Sequence, residues 1–235
     1  MRKAFLIFLF APFLFGAQQY GNEWINFSQQ YFKIPIYKTG IHRLEYSTIK
    51  ISFFQAGIDI SDIGTNEFQV FGREKEVALF IEDEDNNGFL NGDDYIEFYA
   101  EKNSSWLDSL VYTSPDYVPD PYYSLFNDTI RYFLTWNPQG FGLRMINEDS
   151  TNFTSYSPLD YCWNKSYSKF SSDYTLGEQE DGLSSPLFEK GEGWVGPVLT
   201  KGNANTENLS TPNSFNGGPD ACLLYTSPSP RDGSE

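Results

Sequence analysis

Tyr31-Phe32-Lys33-Ile34-Pro35-Ile36-Tyr37, then Thr39-Gly40, then Ile41-His42-Arg43-Leu44-Glu45-Tyr46 is the stretch that decides the fold. Apolar side chains return at every second position: Phe32, Ile34 and Ile36 in the first run, Leu44 and Tyr46 with His42 in the second. A period of two is that of a strand with one face buried. Thr39-Gly40 supplies a turn between the runs, so the stretch predicts a β-hairpin, with Pro35 confined to an edge-compatible position.

The same grammar continues outward. Ser47 is placed to cap a short helix running through Ile49, Phe53 and Phe54, with Gly57 as its stop. Glu67 to Phe71 and Val77 to Ile81 read as strands joined by Gly72-Arg73-Glu74-Lys75. Tyr95 to Tyr99 and Ile130 to Trp136 are further strands, and Leu143 to Ile146 is expected to pair with the latter across Asn137-Pro138-Gln139-Gly140. Pro115, Pro119 and Pro121 mark an extended crossing. From about Asp149, Ser, Thr, Asn and Gly increase and the periodicity fades, apart from Gly191-Glu192-Gly193-Trp194-Val195-Gly196. The expected fold is mainly β: an antiparallel, β-sandwich-like N-terminal domain over 18–148 with one short helix, then an incomplete second β-rich region over 149–221. Tyr161, Trp163, Tyr167 and Trp194 are candidates to line a groove, although packing a β-core is the commoner use of such side chains.

The two ends have their own signatures. Arg2 and Lys3 precede an apolar run from Ala4 to Phe15, and Gly16-Ala17 offers small residues before Gln18. That is the pattern of a secretory signal peptide over 1–17, too short to span a bilayer comfortably. The expected location is therefore outside the cytoplasm. At the other end, Cys222-Leu-Leu-Tyr-Thr-Ser-Pro-Ser-Pro-Arg-Asp232 resembles one reading frame of a transposase-type sequencing adapter. Native sequence is expected to stop near Ala221, and 222–235 are set aside from the fold.

Composition removes several classes of function. With 16 basic and 32 acidic residues the net charge is −16, which repels phosphate backbones and argues against nucleic acid as a partner. Of the two cysteines, only Cys162 lies before the suspect tail, so an internal disulfide framework is excluded. A Cys162 nucleophile wants a histidine base, and the only histidine, His42, sits on a strand face. No zinc-helix motif, phosphate-binding glycine loop or nucleophile elbow is present in the sequence.

The strongest local chemistry is Asp83-Glu84-Asp85-Asn86-Asn87-Gly88-Phe89-Leu90-Asn91-Gly92-Asp93-Asp94. It follows the calcium-loop spacing, with oxygen-bearing side chains at positions one, three and five (Asp83, Asp85, Asn87) and glycine at six (Gly88). The Phe89 carbonyl stands at seven, Asn91 at nine and Asp94 at twelve. Alternate oxygens can converge on a hard cation while the glycine permits the sharp turn. Aspartate in place of glutamate at twelve shortens the reach. Because strands flank the loop, a structural Ca²⁺ inside a β-domain is expected; the bland alternative is a solvated acidic turn.

A resemblance rests on several separate stretches. Tyr20-Gly21-Asn22-Glu23-Trp24-Ile25, Tyr31 to Ile36 and Thr39 to Leu44 open it. Phe68 to Arg73, Asp94 to Tyr99, Trp106 to Leu110, Tyr122 to Thr129, Tyr132 to Trp136 and Gly191 to Trp194 continue it. Together they resemble the N-terminal region of gingipain-like cysteine peptidases of bacterial type IX secretion. The resemblance implies an exported protein of a Gram-negative envelope, at the periplasm, outer membrane or cell surface. It also implies a peptidase domain with a His/Cys dyad following this region, and outer-membrane secretion components as partners. Neither His42 nor Cys162 matches the dyad's place, so no catalytic residue is carried over. A different class remains open: a calcium-stabilised β-sandwich binding module of a secreted adhesin or carbohydrate-binding protein.

Overall fold

The computed structural model describes residues 21–146, 148, 154, 156–177, 186–197, 200–220 and 222. The expected signal peptide over 1–17 lies outside the described residues, as does the adapter-like tail except for Cys222.

The chain is mainly β. In order it forms β1 (Phe32–Ile36), β2 (Gly40–Glu45), α1 (Tyr46–Gln55), β3 (Phe68–Gly72), β4 (Lys75–Val77), β5 (Leu79–Glu82), β6 (Tyr95–Ala100), β7 (Ile130–Trp136), β8 (Asp173–Leu176) and β9 (Glu192–Val195). The sheets run β1-β7-β3-β4, β2-β6-β5 and β8-β9. β3 is antiparallel to both β4 and β7, β5 to β6, and β8 to β9. The described residues fall into two compact units: 21–33, 43–98 and 132–143 in the first, 34–42, 99–131 and the residues from 144 onward in the second.

The opening stretch keeps its alternation but not its hairpin. Phe32 and Ile34 are half-buried and Ile36 buried while Lys33 and Pro35 are exposed, and His42 and Leu44 alternate with exposed Ile41, Arg43 and Glu45. Yet β1 and β2 belong to different sheets. Alternation specifies which face is covered, not which strand supplies the ladder. The expected Val77–Ile81 strand is likewise divided: Val77 closes β4, and β5 begins at Leu79 in the other sheet. Leu143 does not extend a strand beside β7. Its carbonyl instead accepts the Leu79 N–H at 2.9 Å, and its own N–H donates to Glu76 Oε1 at 2.7 Å.

The first unit is built on aromatics. Phe53 of α1 is fully buried, stacked on Phe32 of β1 at 4.2 Å and close to Phe68 and Trp136 at 6.3 and 5.4 Å. Burying such a ring stabilises by about 2–3 kcal/mol, before any specific ring geometry is counted. Phe98 of β6 lies 6.1 Å from Tyr132 of β7, a contact that joins the three- and four-stranded sheets. On the other face of β3 and β7, the partnered pair Phe71 and Phe133 receives Trp24 at 5.3 and 5.1 Å. The segment carrying Trp24 is tied to β7 by two bonds: Gln29 Nε2 donates to the Trp136 carbonyl at 2.8 Å, and the buried Thr135 hydroxyl donates to the Gln30 carbonyl at 2.7 Å.

Helix α1 starts two residues earlier than its serine suggests. Glu45 occupies the N-cap without a side-chain bond, and Ser47 lies inside the first turn. At the other end Gly57 has φ +74°; its N–H donates to Phe54 and that of Ile58 to Phe53, both at 3.0 Å. These two bonds close a Schellman motif, for which a left-handed residue at Gly57 is required.

Candidate functional site

The Asp83–Asp94 loop joins β5 to β6, two antiparallel neighbours that end at Glu82 and start at Tyr95. Its carboxylates first satisfy its own backbone. Asp83 accepts the Asn87 N–H on Oδ1 at 3.1 Å and the Gly88 N–H on Oδ2 at 2.8 Å. Asp85 Oδ1 accepts the same Asn87 N–H at 3.2 Å, and Asn87 Oδ1 accepts the Phe89 N–H at 2.8 Å. The turn bends through Asn86, Gly88 and Gly92, at φ +53°, +85° and +50°.

Asp94 has a distinct position. It is 2 % exposed, and its two carboxylate oxygens accept the N–H groups of Glu84 at 3.0 Å and Asn91 at 2.8 Å. One buried side chain thus pins both limbs of the loop. Next to it, Leu90 is buried, while Phe89 forms an antiparallel bridge with Gly64, and the Gly88 carbonyl accepts the Thr65 N–H at 2.9 Å.

The six residues singled out in the sequence therefore share one loop in two layers. Asp83, Asp85, Asn87, Phe89 and Asn91 make an outer ring of half-buried or exposed residues, whereas Asp94 is buried. Two amides point their nitrogens at Asp85: Asn87 Nδ2 at 2.8 Å from Oδ2, and Asn91 Nδ2 at 3.3 Å. Partial desolvation pushes the Asp85 carboxyl up. The hydrogen bonds from the Asn87 backbone and from Asn91, Asp83 and Asn87 together outweigh it, so it lies below its ordinary value of 3.8. Among the described residues no three His, Cys, Asp or Glu side chains form a metal-holding group as placed.

The donor types nonetheless suit a hard cation, which takes carboxylate, amide and main-chain oxygens. Asp83 and Asp85 lie close enough to interact directly, and once both are ionised a cation beside them would relieve their repulsion. Asn91 would present oxygen after a rotation that exchanges its amide atoms, whereas Asn87 Oδ1 already accepts the Phe89 N–H and has one lone pair left to offer. The Phe89 carbonyl accepts only a long contact from Asn91, at 3.4 Å.

The other candidates are weaker. His42 is half-buried with Nε2 at 2.8 Å from the Lys38 carbonyl, and Cys162 is an exposed free thiol. The four aromatics do not share one groove. Tyr161 meets Trp163 edge-on at 6.0 Å, Tyr167 meets Tyr123 at 5.4 Å, and Trp194 meets Tyr174 of β8 at 5.3 Å. In the second unit a cleft bounded by Asp108, Tyr123, Lys169, Phe170 and Trp194 has a volume of about 30 Å³, room for a few water molecules and far below that of a ligand pocket. Asp108 is not poised for chemistry there: its buried carboxylate accepts Ser124 Oγ at 3.1 Å and the Leu125 N–H at 2.7 Å.

No protein-family model, curated protein or solved structure matches the chain.

Proposed function

We propose that the chain is the non-catalytic N-terminal region of an exported gingipain-like cysteine peptidase. Its motifs most resemble PorU, the signal peptidase that removes C-terminal sorting signals in type IX secretion. The supporting observation is the Trp24 cluster. Trp24, Tyr31, Phe71 and Phe133 come from four of the separate stretches that carry the resemblance; Trp24 and Tyr31 each lie within 6.5 Å of the Phe71 and Phe133 rings and of each other. Residues that bury one another are parts of a single design, which is the behaviour expected of a family signature rather than of scattered coincidences.

In this reading the region supports a peptidase domain that follows it and the outer-membrane components that present substrate. It performs no bond cleavage itself. A Ca²⁺ held by Asp83, Asp85, Asn87, Asn91 and the Phe89 carbonyl, together with the Asp94 staple, would fix the β5–β6 connection.

Reading the gene past the codon for Ala221 tests the assignment. A following α/β domain with a His/Cys pair is the expected result, and an adhesin repeat or another catalytic module in its place would overturn it. The region from 18 to 221 should not turn over fluorogenic peptides. Turnover that vanished in Cys162→Ala would contradict the non-catalytic role.

A second reading, a calcium-stabilised binding module of a secreted adhesin or carbohydrate-binding protein, draws on exposed aromatic surface. Trp163 and Tyr167 are each 67 % exposed. Solvent-facing rings of that size are a common means of stacking on ligands.

A further inference from the structure

Residues 161–169 read Tyr-Cys-Trp-Asn-Lys-Ser-Tyr-Ser-Lys. Every odd position is aromatic or cationic: Tyr161, Trp163, Lys165, Tyr167 and Lys169. The even positions are small or polar: Cys162, Asn164, Ser166 and Ser168. This is the two-residue period of a strand, and tyrosine and tryptophan are strand-favouring residues.

No strand forms there among the described residues. No backbone–backbone hydrogen bond joins 161–169 to another described segment. The contacts that hold the segment are made by side chains instead. Ser166 Oγ donates to the Ser210 carbonyl and Ser168 Oγ to Glu207 Oε2 at 2.9 Å, fastening the even positions. On the odd positions, Tyr167 packs edge-on to Tyr123, and Lys169 Nζ lies 4.7 Å from the same ring. Lys165 Nζ stands 5.9 Å from the Tyr122 ring. The segment is thus positioned from the side while its main-chain donors and acceptors lack a ladder.

Charge adds direction. In a chain of net −16, Lys165 and Lys169 have no carboxylate within ion-pair distance among the described residues. An edge-to-edge pair of two copies would bring these lysines against one another, and like charges on paired strands destabilise the pairing. A strand bearing acidic side chains would meet them favourably. We propose that residues 161–169 are a receiving edge to which an acidic, extended polypeptide adds in trans as a β-strand. Main-chain bonds would supply the ladder, with the lysines and aromatic rings selecting the partner's side chains. The proposal does not depend on the peptidase assignment.

The test uses the full chain and a fluorescein-labelled peptide of alternating glutamate and valine, read by fluorescence anisotropy. Saturable binding is expected, with the 161–169 amides slowed in hydrogen exchange when peptide is present. The same peptide with N-methylated backbone amides should bind at least about tenfold more weakly, since it cannot complete a ladder. Lys165→Glu with Lys169→Glu should lower affinity by a similar factor at unchanged circular dichroism. Equal binding of the N-methylated peptide, or heparin binding more tightly than the peptide, would reduce the segment to a general polyanion surface and overturn the proposal. So would absence of amide protection, or self-association of the chain that displaces the peptide.

Discussion

The main-chain N–H of Tyr46, the first residue of α1, donates to the carbonyl of Asp94 at 2.9 Å. The first helical N–H groups have no partner within the helix, and here the last residue of the acidic loop supplies one in place of a side-chain cap. Asp94 therefore connects three things: both limbs of its loop through its carboxylate, and the start of α1 through its carbonyl.

Replacing Asp94 by alanine should cost about 2–4 kcal/mol, because two part-buried N–H groups lose their acceptor and a buried side chain leaves a gap. Asp93→Ala, one residue earlier and exposed, should stay within about 0.5 kcal/mol of the parent. Urea unfolding at neutral pH measures both. Equal midpoints for the two variants would mean that the buried carboxylate contributes no stability.

If the loop holds calcium, the ion binds the folded state alone and raises the melting temperature with concentration. Asp85→Ala should remove that response by deleting an anionic ligand from the outer ring. Asp59→Ala, whose carboxylate instead caps a short 3₁₀ turn through Ser61, should retain it. Calorimetry with and without chelator checks the assignment, and a response lost equally in both variants would point away from the loop.

Asp85 also sets a pH dependence. Its folded carboxyl lies below 3.8, so the unfolded chain takes up the proton more readily and acid favours unfolding. The stability it contributes is fully present above 3.8 and is lost as pH falls through the lower folded value. The melting-temperature gap between the parent chain and Asp85→Asn, measured without calcium, should be widest above that range and close below it. A gap that widens on acidification would reverse the sign.

Two glycines separate backbone strain from steric overlap. At Gly57 a Cβ meets nothing within 4 Å, so Gly57→Ala costs only the left-handed conformation, about 1 kcal/mol. At Gly72 the Cβ would land in the Tyr132 ring, which is 3 % exposed. Gly72→Ala should cost about 1–3 kcal/mol or more through overpacking. Thermal unfolding of the two variants should rank Gly72→Ala as the worse, and the opposite rank would place the dominant cost in φ.

Strand identity was legible in the sequence where an alternating run met a turn signal; partnership was not. Phe32-Lys33-Ile34 and His42-Arg43-Leu44 declare their covered faces, but nothing within them says that β1 joins β7 and β2 joins β6. Those choices rest on contacts far apart in sequence, such as Thr135 with Gln30, about a hundred residues away, on the β7 side. Ala78 hides the passage between sheets because the run on either side of it stays apolar. β8 was missed altogether: Asp173-Tyr174-Thr175-Leu176 is short and follows a serine-rich stretch, and its pairing with β9 is what gives it form. The loop spacing from Asp83 to Asp94 was legible, since it is local. The burial of Asp94 was not, since it depends on the fold around it. The turn at Arg73 and Glu74 carries two left-handed residues, φ +51° and +67°, where asparagine and glycine would be the usual signal.

Asn87-Gly88 is of the dipeptide type most prone to chemical ageing, because the glycine nitrogen can attack the asparagine side-chain carbonyl and expel ammonia, giving a succinimide that water opens to isoaspartate or aspartate. Here that nitrogen is engaged with Asp83 at 2.8 Å, and the Asn87 amide is held at both ends by Phe89 and Asp85. Both groups that would have to meet are already engaged in hydrogen bonds. Asp83 thus sets the shelf life of the loop as well as its shape: without it, the clock of succinimide formation starts at the residue on which the outer ring turns.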